Sequence, residues 1–227
     1  MKSMRSINKA QGHSSNKAFI LVAVIAVALG ITANLFLKSP KEDARNTAPL
    51  QISSGTLIPN PRPLLPFSLT DHSGKNFSHE TIKGHWQLLS FGYTHCPDIC
   101  PTTLAMLARV DDQINKHTPN PNIQTAFISI DPQRDTVEKL ANYMPYFNPR
   151  FLGVTGTTPE LENLTRQLGV LYARVETDGS VLDYLMDHSS TIILLNPKGE
   201  YQAVFSAPHA ANQIAEDLIR ITSSWSE

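Results

Sequence analysis

The hydrophobic pattern of the chain begins with one long apolar stretch near the N-terminus. Residues 18–37 are almost entirely apolar, and the segment 1–17 before them carries four lysine or arginine side chains and no acidic one. A stretch of about 20 apolar residues is enough for a helix to cross a bilayer, and flanking basic residues favour the cytoplasmic side. We therefore predict a cytoplasmic segment at 1–17, one transmembrane anchor at 18–37, and the rest of the chain across the membrane.

A cleaved signal peptide is the alternative interpretation of this stretch. The apolar region of a signal peptide is usually about 7 to 15 residues long, and Ile31, Thr32 and Ala33 fit a small-x-small cleavage site poorly. The basic leader would also suit a mitochondrial inner membrane, but it is short and contains a single arginine. We favour a single-pass protein of a bacterial inner membrane whose domain faces the periplasm.

Beyond the apolar stretch, the pattern predicts a tether and then one folded domain. Residues 38–62 are rich in proline, serine, asparagine and threonine without a sustained apolar period, which predicts a tether. In 63–227, short apolar runs typical of strands alternate with segments of helical period. Strands are predicted at 67–70, 76–77, 86–91, 123–130, 151–154, 170–174, 181–185, 191–195 and 201–205, and helices at 102–114, 135–144, 161–168 and 210–221.

Two short signals define helix ends within this domain. Asp135 followed by Glu138 predicts an N-cap with a capping-box partner, and Gly169 predicts a C-terminal stop. The order of strands and helices predicts an α/β fold, a mixed sheet with helices on both faces.

Composition and charge exclude one class of partner. The formal net charge is -1 at pH 7, and the chain has no lysine-rich or arginine-rich block with interleaved aromatic residues. We therefore expect no nucleic acid and no polyanionic substrate.

The only two cysteines of the chain, Cys96 and Cys100, lie between the predicted strand 86–91 and the predicted helix 102–114. The N-terminus of a helix favours thiolate over thiol, so both sulfurs should be better nucleophiles and metal ligands than ordinary cysteines, although Asp98 opposes this. Thiolates are soft ligands that suit Cu(I). A structural disulfide or two buried thiols is the plainer alternative.

The cysteine pair on a strand-to-helix junction, together with a late β-hairpin followed by a helix, is thioredoxin-like. Three motifs extend this likeness: Tyr-Thr-His-Cys-Pro-Asp-Ile-Cys-Pro at 93–101, Ser-Ile-Asp-Pro-Gln-Arg-Asp at 129–135, and Asp-His-Ser at 187–189 before an apolar strand. Together they resemble the Sco/SenC family, membrane-anchored copper proteins of thioredoxin fold that are concerned with assembling the dinuclear copper site of cytochrome c oxidase. The resemblance covers about residues 60–222.

This resemblance implies a copper metallochaperone. Cys96, Cys100 and His188 would bind copper as Cu(I) and Cu(II), since imidazole suits both ions, and a site with three ligands stays open to the ligands of a partner. The implied partner is the copper-site subunit of cytochrome c oxidase, with another copper carrier and a thiol reductant as further candidates. We expect Cys96 and Cys100 also to form a reversible disulfide.

Other polar residues near these motifs receive plainer interpretations. His95 is expected beside the site rather than as a ligand, because adjacent side chains in an extended loop diverge. Capping and loop fixing are sufficient to explain Asp131, Arg134 and Asp135. His209 is expected to be solvated.

Two rival functions use the same cysteines. A thiol-disulfide oxidoreductase would gain nothing from His188, and its cysteines are usually spaced C-x-x-C, one residue closer than here. A peroxidatic thiol enzyme usually has a threonine three residues before its cysteine, where this chain has Tyr93. Apart from thiol-disulfide exchange, we do not expect an enzyme.

Overall fold

The computed structural model describes residues 16–37, 50–117, 122–177 and 184–225. The chain divides into two units, Met1–Pro49 and Leu50–Glu227. In the first unit, helix α1 (Asn16–Leu37) covers the predicted apolar stretch, and its side chains such as Phe19 and Leu29 are exposed. Within the described residues, no helix combines the length and the apolar character needed to cross a membrane. Residues 1–15 of the predicted cytoplasmic segment 1–17, and residues 38–49 of the predicted tether 38–62, lie outside the described residues.

The second unit alternates strands and helices much as the pattern predicts. In its described part the elements are β1 (Thr56–Pro63), β2 (Ser68–Asp71), β3 (Asn76–Ser78), β4 (Trp86–Gly92), α2 (Ile99–His117), β5 (Ile123–Ser129), α3 (Val137–Tyr143), a 3-10 turn (Met144–Tyr146), β6 (Leu152–Thr155), α4 (Thr158–Leu168), β7 (Tyr172–Glu176), β8 (Tyr184–His188), β9 (Ile192–Leu195), β10 (Glu200–Phe205) and α5 (Ala211–Ser224).

Among the described residues, eight of these strands form one mixed sheet in the order β1-β10-β9-β4-β5-β6-β2-β3. The three strands β4, β5 and β6 run parallel to one another, and the remaining pairs are antiparallel. Strands β7 and β8 form a separate two-stranded antiparallel sheet, here called the β7–β8 hairpin, and residues 178–183 between them lie outside the described residues. The prediction of a mixed α/β sheet is confirmed.

The core occupies both faces of the main sheet. Successive residues of a strand point to opposite faces, and accordingly Leu88 of β4 packs in one buried cluster while Leu89 packs in the other. Helices α2 and α5 contribute Leu104 and Leu218 to the first cluster, and α4 contributes Leu161 to the second. Because β4 is covered on both faces, all seven of its residues are buried, which explains why it is mostly apolar, with Gln87 and Ser90 as the exceptions.

Strand β1 is a difference from the sequence-based expectation, because it lies largely within the range 38–62 that the composition marks as a tether. It pairs with β10 in antiparallel fashion at one edge of the sheet. Its three prolines, Pro59, Pro61 and Pro63, are tolerated only because an edge strand needs few backbone donors. The proline content therefore led to the prediction of a tether where a strand joins this part of the chain to the domain.

The helix ends are partly as predicted. Gly169 ends α4 in the left-handed conformation with φ of 69°, which confirms the predicted stop. The predicted N-cap of α3 is wrong, since the cap is Thr136, whose side chain accepts a hydrogen bond from the backbone N–H of Lys139. Asp135 instead accepts hydrogen bonds from Thr94 and Ser129, which the sequence gives no reason to expect.

Candidate metal centre

The junction between β4 and α2 brings the two cysteines together. Cys96 lies in the loop before α2, and Cys100 lies in the first turn of the helix, which begins at Ile99, three residues before the predicted start at 102. The backbone N–H of Cys100 donates a hydrogen bond to Sγ of Cys96 over 3.4 Å. A Cβ atom on Gly92 would lie 2.7 Å from Sγ of Cys100, so the close approach of the sulfur to β4 requires glycine at the end of that strand.

His188 joins the cysteines from a distant part of the chain. Its Nε2 atom lies 3.4 Å from Sγ of Cys100. The two sulfurs and one imidazole nitrogen all lie within 4.8 Å of one another, a separation that a single metal ion could bridge. Nδ1 of His188 lies 3.2 Å from the carbonyl oxygen of Ser189, so a proton on Nδ1 leaves the lone pair of Nε2 facing the sulfurs.

The placement of His188 differs from the expectation in one respect. It is the last residue of β8, where it pairs with Tyr172, rather than part of a loop directly before the next strand. In β8, alternate residues share a face, so Tyr184, Met186 and His188 lie on the same side of the hairpin. The hairpin thus determines where the imidazole lies.

Burial changes the electrostatics that the sequence predicts for the thiols. Cys96 is only 9% exposed to solvent, and Cys100 only 3%. Burial, and secondarily a hydrogen bond with Cys96, raises the pKa of the Cys100 thiol well above its ordinary value. The expectation that the helix N-terminus makes Cys100 a ready thiolate is therefore wrong. A metal ion would have to displace the proton from this sulfur.

Asp135 is completely buried and fixes the start of the cysteine loop. Its carboxylate accepts hydrogen bonds from the backbone N–H and the hydroxyl of Thr94, at 2.8 and 2.5 Å, and from the hydroxyl of Ser129 at 2.6 Å.

His95 turns toward the Asp135 carboxylate and toward Lys139, at 3.8 and 3.2 Å, and is not a member of the group formed by the two sulfurs and His188. Burial and the nearby Lys139 charge lower the pKa of His95.

A cluster of Asp131, Arg134 and Tyr184, here called the β8 clamp, connects the hairpin to the loop after β5. Nε of Arg134 donates to Asp131 at 2.5 Å, and its NH1 group donates to the carbonyl oxygen of Tyr184 at 2.9 Å. The hydroxyl of Tyr184 donates to Asp131 at 2.6 Å. The sequence marks Asp131 and Arg134 as loop residues, but their partner Tyr184 lies 53 and 50 residues away and gives no local signal.

His209 binds the segment that follows β8. Its Nε2 atom donates to the carbonyl oxygen of Ser190 over 2.7 Å, so this half-buried histidine is not the solvated residue that its polar surroundings suggest. Beside His188, a cavity of about 340 Å³ is lined by Leu171 and Asp187 among others. Leu171 is 76% exposed, and His188 is the member of the ligand group that lines this cavity.

Comparison with known proteins identifies relatives over most of the folded unit. The SCO1/SenC family model matches residues 59–223. The human mitochondrial "Protein SCO1 homolog" is 40% identical over 159 residues, which cover 69% of this chain and 52% of the human protein. The "SCO2-like protein" of Rickettsia felis is 38% identical over 152 residues, covering 67% of this chain and 73% of that protein. The match thus spans only about half the length of the human relative.

A solved structure shares the same fold. Arabidopsis thaliana ScoI, solved with copper bound, is 33% identical to this chain and superimposes with a TM-score of 0.66, covering 71% of this chain and 99% of that one. This likeness confirms the predicted thioredoxin-like fold.

Proposed function

Because the chain belongs to the SCO1/SenC family, we propose that it is a copper metallochaperone that assists assembly of the dinuclear copper site of cytochrome c oxidase. Cys96, Cys100 and His188 are the proposed ligands. The proposal rests on one observation: their three donor atoms lie within 4.8 Å of one another, where the cysteine loop contacts the end of the β7–β8 hairpin.

The donor set fits copper as a transferable cargo. Two thiolates suit Cu(I), and the imidazole adds the nitrogen donor that Cu(II) requires. Three protein ligands leave room for a donor from the recipient. Since burial raises the pKa of Cys100, copper binding must release a proton, and loading should be tighter at higher pH.

The proposed recipient is the copper-site subunit of cytochrome c oxidase. Another copper carrier would load the protein, and a thiol reductant would keep its cysteines reduced.

We further propose that residues 18–37 anchor the chain in a bacterial inner membrane, with 1–17 in the cytoplasm and the folded unit in the periplasm. The apolar stretch and its basic, acid-free leader support this topology.

A thiol-disulfide oxidoreductase is the second candidate function. The sulfurs of Cys96 and Cys100 lie within 4.8 Å, and closing them to a bond of about 2.0 Å requires only a small loop movement. In this role the two thiols would pass two electrons and two protons to a disulfide of the client and become a disulfide themselves. His188 would have no part in that exchange.

The test is a copper titration of the full chain, purified with reduced thiols under anaerobic conditions. We expect one Cu(I) or one Cu(II) per chain, and a thiolate charge-transfer band for Cu(II). Cys96→Ser and Cys100→Ser should each lose that band, while Ser68→Ala, which removes an exposed hydroxyl of β2 that donates to Asn76 of β3, should keep it. Failure of the reduced protein to bind copper, combined with efficient thiol-disulfide exchange, would favour the oxidoreductase instead.

A further inference from the structure

The strand that carries His188 lacks the support of the main sheet. In the described part of the chain, β8 pairs with β7 alone, and the two form a hairpin apart from the eight-stranded sheet. His188 lies at the very end of β8, so a small tilt or slide of this hairpin would move its imidazole relative to Cys100. Contacts outside the strand pairing must therefore fix the hairpin.

The β8 clamp supplies such contacts at the start of the strand. Arg134 donates to the backbone carbonyl of Tyr184, and Tyr184 donates through its hydroxyl to Asp131. The guanidinium of Arg134 also stacks over the ring of Tyr184, with 3.6 Å from its central carbon to the ring centre. The Arg134 and Asp131 side chains are only 9% and 2% exposed, so these charge-assisted bonds compete little with water.

The same guanidinium reaches the cysteine side of the site. Arg134 lies 5.5 Å from the ring centre of Tyr93, which stands three residues before Cys96. The ring of Tyr93 in turn meets the imidazole of His188 edge to face, with 6.3 Å between centres. Arg134 therefore contacts residues on both sides of the ligand group without being a ligand.

We propose that Arg134 is a positioning residue that holds β8, and through it the imidazole of His188, against Cys100. Its consequence rests on the proposed copper function: the β8 clamp determines how strongly the site binds Cu(II) relative to Cu(I). Cu(II) depends on the nitrogen donor, whereas two thiolates alone can retain Cu(I). A hairpin released by loss of the clamp weakens the Cu(II) site and leaves most of the Cu(I) affinity.

The experiment compares three variants of the full chain by competition titration with each copper ion. Arg134→Ala removes the clamp, and Tyr184→Phe removes only its hydroxyl bond to Asp131. Arg174→Ala is the matched control, because Arg174 stacks on the same tyrosine ring at 3.8 Å but belongs to β7 of the hairpin itself. We expect Arg134→Ala to weaken Cu(II) binding by about 10- to 100-fold, with a smaller loss in Tyr184→Phe and little change in Cu(I) affinity. The control should retain both affinities.

A second readout does not depend on copper. In the metal-free protein, nitrogen NMR should give one set of His188 imidazole signals with the proton on Nδ1, and these signals should broaden or shift in Arg134→Ala and Tyr184→Phe. Equal losses of Cu(I) and Cu(II) affinity, or unchanged His188 signals in both variants, would overturn the positioning role. If the wild-type chain binds no copper but the His188 signals still change, the positioning holds and the proposed function is wrong. If Arg134→Ala does not fold, the copper titrations and the His188 signals of Tyr184→Phe test the positioning role instead.

Discussion

Nε2 of His188 lies 3.4 Å from Sγ of Cys100, although 88 residues separate the two in the chain. The sulfur comes from the first turn of α2, and the imidazole comes from the end of a hairpin outside the main sheet. The nitrogen and sulfur donors therefore depend on different parts of the fold, and a substitution can remove one without displacing the other.

Substitution of His188 by alanine should separate the two copper ions. We expect His188→Ala to lose or alter the Cu(II) thiolate charge-transfer band and to bind Cu(II) very weakly, while Cu(I) binds more weakly but detectably. The Cys96–Cys100 disulfide should still form. Because His188 is only half-buried, the thermal unfolding midpoint should change little, which serves as the folding control.

The same variant decides between copper transfer and plain reduction in cells. A metallochaperone predicts that His188→Ala fails to support oxidase assembly although it is folded and present. A pure reductase predicts wild-type assembly with His188→Ala and failure only when Cys96 or Cys100 is replaced. Observing the second pattern together with unchanged Cu(II) spectra would remove His188 from the site.

Oxidation of the cysteine pair should abolish copper binding. Both sulfur ligands are consumed when Cys96 and Cys100 form a disulfide, and an imidazole alone holds copper poorly. We expect the oxidised chain to contain no stoichiometric copper and to regain one copper per chain after reduction. The measurement is copper content beside thiol content by alkylation, and stoichiometric copper on fully oxidised protein would contradict the assignment of the sulfurs.

Much of the fold follows from local patterns, and the exceptions have identifiable causes. The buried strands β4 and β5 are visible as apolar runs because both faces of the central sheet are covered, and Gly169 is recognised because a left-handed helix end needs glycine. Strand β1 is missed because its prolines are tolerated only at an edge, and edge position is a property of the folded sheet.

In the candidate site, too, some features follow from local sequence and others depend on tertiary packing. The cysteine pair is evident from its spacing and its position at a strand-to-helix junction. His188, by contrast, is assigned mainly through the family resemblance, since nothing local marks a histidine as the partner of a distant sulfur. The clamp between Arg134 and Tyr184 and the burial that raises the pKa of Cys100 depend on packing between separate elements. Such tertiary contacts leave no periodic or local signal in one sequence.

Gly92 should be essential for the position of one sulfur. A methyl group in Gly92→Ala would lie 2.7 Å from Sγ of Cys100 and 2.8 Å from the ring of Phe127. We expect a loss of about 1–3 kcal/mol in the free energy of unfolding, as for other overpacked cores, together with weaker binding of both copper ions. The measurements are urea unfolding and copper titration.

Gly153→Ala is the matched control for this substitution. Its added methyl group would lie 2.8 Å from Met144 and 2.9 Å from Leu140, so it overpacks the same buried cluster to a similar degree, but its nearest neighbours do not include a cysteine. This variant should lose comparable stability and keep its copper affinity. Equal effects of both substitutions on copper binding would show that the sulfur responds to general destabilisation rather than to the space left by Gly92.

The proposed membrane topology predicts where each end of the chain lies. A reporter that is active only in the periplasm should work when fused after residue 227, and a reporter that requires the cytoplasm should fail there. Replacing Val24 and Val27 with arginine should release the protein from the membrane fraction, because charged residues at the middle of a span are costly. A C-terminal fusion active only in the cytoplasm, or mature protein that starts near Asn34 and washes off membranes, would refute the anchor.

Asp217 should make the attachment of residues 50–63 to the domain sensitive to acid. Its fully buried carboxylate accepts hydrogen bonds from the backbone N–H and hydroxyl groups of Ser53 and Ser54, at 2.6 to 3.2 Å, just before β1. Burial alone would raise the pKa of Asp217, but these hydrogen bonds together outweigh it and lower the pKa below its ordinary value of 3.8. The ionised carboxylate therefore stabilises the native state.

The stabilisation from the Asp217 carboxylate depends on pH. A carboxyl group whose pKa is lower in the folded than in the unfolded state contributes its full stabilisation above the unfolded value, and this contribution is lost as the pH falls through the folded pKa. We expect Asp217→Asn to lower the free energy of unfolding by about 2–3 kcal/mol at pH 7, and the difference from wild type to shrink below about pH 4. Glu216→Gln, at the exposed neighbouring position of α5, should show neither effect. Urea unfolding between pH 7 and 3 measures both variants, and a difference that stays constant or grows with acidification would show that the hydrogen bonds to Asp217 do not depend on its charge.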